Sequence, residues 1–457
     1  MDENKYMEGS VRNIQSDKQN LQSYNFKANS KKFLSSIQKI RDLSNQSIRD
    51  VGENDRSNST IVAGYNVTNL IQGIGILGVP YAIAKGSWIG IILIIFIAFV
   101  ASSTGTMLIE CLYQNKNLPN SKRIYKTYSC IGEAVWPKFG KSLVTVISLV
   151  EMFGGTTLYI ILLSVESQRF LLNFFSDVNI NYCCIILTYA VLPITFVKRM
   201  SIISWFSFIA VVGLISSIGI IMTFCFFNFS KLSINNFPAI SWSSVPLSMG
   251  IITFSYCAHA AFPGIEASMK HPNSFDKMMK VSFTTAAVIK FLMGFLFNLI
   301  SGNEILQQCS LNVDIYEFSL TLEIFVIINT FFSIPLVMFV ISERIDEIFQ
   351  YHFPSSMWPG GVLYWYWLLL SRGIIMTLSM LMAMIVPHFA LVMGLVGSIT
   401  GSCLTFIFPG IFSLSLKRSE LTKLQKVYRI LIIATGIFFG ISGTIVSMID
   451  IVQNFKM

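Results

Sequence analysis

The chain has 457 residues, of which 53% are hydrophobic and only 12% charged, and its mean hydropathy is +0.63. Soluble chains carry about a quarter of their residues as charges, so a soluble multidomain enzyme is excluded and the chain belongs in a bilayer. The formal charge of +9 does not point to nucleic acid, because the basic residues are scattered between apolar runs rather than gathered into a patch.

Met1 to Thr60 is polar and holds 10 of the 33 basic and 8 of the 24 acidic residues, leaving 39 charges for the other 397 positions. It lacks the apolar core of a signal peptide. It reads as a disordered cytoplasmic tail open to sorting partners, with a short amphipathic helix around Phe33 to Ile37. A crossing helix needs about 20 apolar residues. Eleven such runs follow, at about 61–84, 88–113, 142–165, 180–197, 202–227, 245–268, 280–300, 320–343, 363–386, 389–414 and 430–452, with a five-residue lumenal tail at 453–457. The expected fold class is an all-α integral membrane protein. The connection from Asn115 to Lys141 holds an amphipathic stretch expected on the membrane surface.

With the tail in the cytoplasm, 27 Lys and Arg fall in cytoplasmic segments and 4 opposite them: Lys85, Arg169, Lys231 and Lys456. That bias sets the direction under the positive-inside rule. None of the eight cysteines makes a C-x-x-C pair, so they read as core residues. Cys309 is the candidate for a bridge, to Cys183 or Cys184. Asn228 begins the one glycosylation sequon on the exoplasmic side.

Two spans are interrupted. Gly73, Gly75, Gly78 and Pro80 crowd the middle of span 1, and Ser255 to Gly264, containing His259 and Pro263, breaks span 6. In a helix each Gly is less favourable than Ala by about 1 kcal/mol and Pro by about 3. Each break closes the first span of a set of five, so spans 1–5 (about 61–227) and 6–10 (about 245–414) read as two repeats. Five is odd, so the repeats are inverted, and paired breaks point to a substrate site at the midplane. Freed N–H groups at the start of a half-helix suit a carboxylate. Freed carbonyls at the end of the preceding half-helix suit an ammonium, so a zwitterionic amino acid satisfies both. The candidate substrate residues are Thr68, Gln72, Gly73, Gly75 and Gly78 in span 1, and Phe254, Ser255, Tyr256, Cys257 and Ala258 in span 6. Gly75 to Gly78 are expected to receive the carboxylate, and Ser255 to Ala258 to offer carbonyls to the amine.

Charge within a bilayer is usually functional or paired. Glu151, Glu266 and Lys290 are the candidates for proton coupling, with His259 as a helper because an ordinary imidazole titrates at about pH 6.5. Arg372 is expected to snorkel to the interface. Enzyme signatures fail: there is no HExxH zinc helix and no G-x-S-x-G turn, and Gly140-Lys141-Ser142 lacks the earlier glycine of a phosphate loop, position 135 being Val. No metal or cofactor is expected.

Ala63 to Asn69, Gln72-Gly73, Leu77 to Ile83 and Val386 to Gly401 closely resemble the amino acid/auxin permease family, within it the vesicular transporters of inhibitory amino acids. The similarity runs from about residue 60 to 452. It implies eleven spans in five-plus-five inverted repeats, in an acidic vesicle such as the synaptic vesicle, and uptake of GABA or glycine by proton exchange, with chloride as a disputed further ion. Three positions depart from the family pattern. His259 replaces Gln, Asn329 replaces Lys, and Gly75 replaces a large aromatic, which is expected to leave a wider pocket. The rival readings are an amino acid sensor on an endolysosomal membrane that signals through the tail without transport, and a transporter of the same family with another neutral substrate.

Overall fold

A computed structural model describes residues 58–114, 122–349 and 363–456. Nearly all of the expected tail lies outside them. Among the described residues the regular elements are helical, and eight helices are long and apolar enough to cross a membrane. Two shorter apolar helical segments, Ile180–Phe196 and Val245–Tyr256, accompany them.

Ser59 caps α1 (Thr60–Gln72), its side chain accepting from the Val62 amide. The helix stops at Gly73, where a Cβ would stand 2.5 Å from both the Asn69 carbonyl and the Tyr159 hydroxyl. It resumes as α2 (Gly75–Leu112). Kept straight, 38 residues would rise about 57 Å, nearly twice the hydrocarbon core. Instead Ser87 adopts φ 54°, and a Cβ on Gly90 would lie 3.1 Å from the Ile83 Cα. Seven residues of straight helix span about 10 Å, so α2 is two arms folded back on each other. The Ser87 hydroxyl donates to the Pro238 carbonyl at 2.6 Å, which holds the left-handed corner.

Next come α3 (Tyr128–Val135), α4 (Gly140–Leu172), α5 (Ile180–Val191, extended by a 3₁₀ turn to Phe196) and α6 (Met200–Phe227). The amphipathic stretch is thus partly α3, and it packs inward. Tyr128 is buried, meets Phe408 and Phe412 edge-on, and donates its hydroxyl to the Leu404 carbonyl.

The second half opens with α7 (Val245–Tyr256) and α8 (Phe262–Ser268), separated by the non-helical Cys257–Ala261. It continues with α9 (Phe275–Ser301), α10 (Tyr316–Phe349) and α11 (Tyr364–Ile385). A run of α12 (Phe389–Val396), wide π-turns at Gly397–Gly401 and Cys403–Ile407, and α13 (Phe408–Leu416) precedes α14 (Lys423–Lys456). Eleven of the twelve residues of α7 are buried, as expected of a helix apolar on every side at the centre of a bundle. Glycines bring α7 against the π-turns: a Cβ on Gly397 would lie 2.1 Å from the Gly250 carbonyl.

Several expectations are corrected here. All eight cysteines are free, so Cys309 makes no bridge. Asn228, at the start of the sequon, is buried and its amide donates to the Phe224 carbonyl, closing α6. Helix α14 runs to Lys456. Arg372 does not snorkel. It is buried, and its Nε donates at 3.0 Å to the Thr195 carbonyl, one of the groups left open where α5 tightens into its 3₁₀ turn.

Candidate functional site

The two breaks face a narrow cavity, about 380 Å³ including its mouth. Its walls come from four helices or helix pairs: Leu70, Ile74 and Gly75 at the first break, Phe254, Ser255 and Cys257 at the second, Glu151, Met152, Gly155 and Tyr159 on α4, and Val337 on α10. Glu151 is the one carboxylate among these lining residues, and it is buried.

The hydroxyl of Thr400, on the first π-turn, meets the Glu151 carboxyl and also lies 2.8 Å from the Val396 carbonyl. A hydroxyl has one proton and two lone pairs. It can donate to an ionised Glu151, or donate to Val396 and accept from a protonated one. The pair therefore satisfies both protonation states without moving an atom of the backbone. The Cys257 thiol contacts both Glu151 and Thr405.

Lys290 reaches in from α9. Its ammonium donates to the Ile71 carbonyl at 2.7 Å, the Ser255 carbonyl at 2.6 Å and the Ser255 hydroxyl at 3.0 Å, and it sits 3.6 Å from the centroid of the Tyr256 ring. The carbonyl of Ser255, expected to hold the substrate amine, thus already accepts from an ammonium, whose charge would repel a second one at that oxygen. Tyr256 turns its ring to Lys290 and stacks on Phe283 instead of lining the cavity.

The expectation of extra space at Gly75 is overturned. A Cβ there would stand 2.8 Å from both Cα and Cβ of Ser255, so glycine is present because two backbones touch, and Phe254 stands in the cavity wall beside them. Gly78 also leaves the expected site. It faces Met393 and Phe389 of α12, one turn along the helix. Gly73 borders a second, smaller void with Leu214, Val326 and Asn329. Asn329 donates to the Ala210 carbonyl at 2.8 Å and so ties α10 to α6. Thr68 is half-buried, and Gln72 and Ala258 are buried, all three outside the cavity wall.

His259 lies between the Thr104 hydroxyl at 3.0 Å and the Thr405 hydroxyl at 3.4 Å. It does not line the cavity, and connects to Glu151 through Thr405 and Cys257. Glu266 is remote from the cavity wall. It accepts from the Tyr113 hydroxyl and pairs with Arg123 Nη1 at 2.9 Å, while Arg123 Nη2 donates to the Pro263 carbonyl. Beside it, Asn58 bonds the backbone of Ser268 and Lys270 and the hydroxyl of Ser204. These contacts tie α8 to the chain entering α1 and to the segment after α2.

The chain matches the family model described as transmembrane amino acid transporter protein over residues 56–451. It belongs to that family. It is a secondary amino acid transporter rather than an enzyme. The vesicular inhibitory amino acid transporter of Xenopus tropicalis is 30% identical over 406 residues, 86% of this chain and 77% of the relative. The vesicular GABA transporter of Caenorhabditis elegans is 29% identical, covering 88% and 82%, and an amino acid transporter of Arabidopsis thaliana is 28% identical, covering 83% and 71%. Two solved structures share the fold. One is Mhp1, a nucleobase-cation-symport-1 family transporter in a closed conformation with bromovinylhydantoin bound, with TM-score 0.55, 10% identity and coverage of 88% and 93%. The other is a Na+-coupled sialic acid symporter in a substrate-bound outward-open state, with TM-score 0.51, 14% identity and coverage of 86% and 88%.

The tie at α8 leads to a measurable expectation for this transporter. Arg123→Ala removes both the charged partner of Glu266 and the donor to Pro263, leaving Tyr113 on Glu266, so α8 should part from its neighbours more readily. Ser268→Cys, placed in a background without native cysteines, is expected to react with a thiol reagent at least about fivefold faster when Arg123 is Ala, the effect of roughly 1 kcal/mol. Equal rates would show that the ion pair does not hold this side closed.

Proposed function

We propose that the protein exchanges protons for a small neutral or ω-amino acid, GABA or glycine, and loads it into acidic vesicles such as synaptic vesicles by alternating access. The observation that carries this reading is Glu151: a single buried carboxylate in the wall between two broken helices, partnered by a hydroxyl that suits either protonation state. One carboxylate can hold a proton or pair with a substrate ammonium, but not both. Competition for it makes the two movements mutually exclusive at one site, which is the requirement for exchange. The substrate carboxylate then turns to the opposite wall, where the N–H groups at the start of α2 from Gly75 onward lack a side-chain cap.

This reading moves the amine from the Ser255 carbonyl to Glu151, because Lys290 occupies the former. It also places coupling on Glu151 rather than on Glu266, whose carboxylate is committed to Arg123, or on His259, which stands outside the wall. The names of the vertebrate and nematode relatives support the vesicular and GABA part of the proposal. Labelled amino acid uptake into liposomes containing only the purified protein, with the interior made acidic, tests it. Concentrative uptake that collapses with the pH gradient is expected; binding without uptake would favour the sensor.

We further propose eleven crossings, counting the two arms of α2 separately and α1 with the first arm, in two inverted sets of five plus α14, with the chain entering α1 from the cytoplasm. The charge bias of 27 to 4 supports the direction. Tags at the two ends should then be on opposite sides in a protease-protection assay on intact vesicles, and same-side ends would overturn the count.

A further inference from the structure

Two of the helix ends that meet at the breaks are C-termini. The carbonyl of Ile71 belongs to the last turn of α1 and that of Ser255 to the last turn of α7. Each helix C-terminus carries roughly half a negative charge, so the two together present about one unit, with oxygens converging on one point. Ends of broken helices of this kind coordinate monovalent cations in transporters. In this chain the point is filled by Lys290 Nζ, with its three protons directed to three oxygens at 2.6–3.0 Å and the Tyr256 ring beside it. Ser255 Oγ accepts from Lys290 while its own proton goes to the Ile252 carbonyl at 2.7 Å, so its lone pairs are free for a cation. Among the described residues no carboxylate lies at ion-pair distance from Lys290. The balancing charge is that of the helix ends.

We propose that the ends of α1 and α7 form a monovalent-cation site that Lys290 occupies permanently as a tethered cation, and that removing the side chain opens this site to free sodium. The proposal rests on the transporter reading for its mechanistic meaning: the ammonium holds the two broken helices together without a second ion having to be carried. With all three protons donated to oxygen acceptors, Lys290 serves as a fixed charge rather than as the proton carrier expected from the sequence.

The test uses the purified full-length protein in lipid nanodiscs and reads thermal unfolding in 150 mM sodium, lithium or choline chloride, so that it is independent of any substrate. The wild type is expected to unfold at the same temperature in all three salts. Lys290→Ala, which leaves both the oxygens and the space, is expected to be less stable in choline and to recover at least about 3 °C in sodium or lithium, as ligation of the folded state alone requires. Lys290→Met fills the space with an apolar chain and should show no recovery. Specific stabilisation of the wild type by sodium, or a Lys290→Ala protein indifferent to sodium and lithium, would overturn the proposal. If Lys290→Ala cannot be purified in choline, its recovery when sodium is present throughout supports the site, and failure in every salt counts against it. Absence of amino acid uptake would sink the transporter reading while leaving this measurement intact.

Discussion

Glu151→Gln is expected to abolish accumulation of substrate against its gradient. A pH difference of two units stores about 2.7 kcal/mol per proton, which for one proton per substrate supports a concentration ratio of about 100. Gln cannot release a proton between pH 5 and 8, so the ratio should fall to unity. The ammonium also loses its charged partner, and hydrogen bonds to charged groups contribute about 1.5–3 kcal/mol. The apparent affinity should therefore weaken by roughly 10- to 150-fold, whichever side substrate approaches from. Glu151→Asp keeps the carboxylate, pulled back by one methylene, and is expected to retain a pH-dependent ratio above unity at reduced affinity. Loss of transport in both variants would point to packing, whereas an unchanged pH profile in Glu151→Gln would move the proton site elsewhere. Glu166 is then the better second candidate than Glu266. It is buried, one carboxyl oxygen meets the Ser310 hydroxyl at 2.5 Å and the other has no hydrogen-bond partner among the described residues, whereas Glu266 already faces a guanidinium.

Glu166 was not legible in the sequence for a physical reason. It lies among Ser164, Ser167, Gln168 and Arg169 near the polar end of α4, which reads as an interface. Its burial comes from the loop after α9: Ser310 bonds Glu166, and Arg169 donates to the carbonyls of Ser310 and Val313 and pairs with Glu323. Those contacts join positions more than 140 residues apart. The breaks, by contrast, announced themselves locally, because Gly and Pro in an apolar run disfavour a continuous helix whatever surrounds them. Glu151 and Lys290 were legible for the same kind of reason, being charges in runs otherwise apolar. What each of them touches was not. Thr400 and Tyr159 carry no pattern of their own, since hydroxyls on apolar helices are common. Tyr159 joins the site as part of the cavity wall, and Thr400 only because the first π-turn is brought against Glu151. Gly75 shows the limit most clearly. A missing side chain looks like space in a sequence, and only the partner's position shows that another backbone fills it.

Gly75→Ala should accordingly impair transport severely, and Gly75→Phe should inactivate the protein rather than narrow its substrate range. The added methyl would stand 2.8 Å from the Ser255 Cα and Cβ and 3.4 Å from its carbonyl oxygen, so one break must retreat from the other. Ser255 has little freedom to do so, because its carbonyl and hydroxyl are both held by Lys290, which also holds Ile71 at the first break. Overpacking of this kind costs about 1–3 kcal/mol, and if it falls on the closed state the rate of uptake drops by roughly 5- to 150-fold. Gly78→Ala is the matched comparison. There the new Cβ meets Met393 Sδ at 3.0 Å and its methyl at 3.3 Å, the mobile end of an unbranched side chain that can swing aside. Uptake by Gly78→Ala is therefore expected to stay within about threefold of wild type. Initial rates of labelled substrate uptake, normalised to protein that survives size-exclusion chromatography, separate the two glycines. Equal losses would mean that both act through general helix packing, and a fully active Gly75→Ala would show that the two breaks separate more easily than their contact and their shared lysine allow.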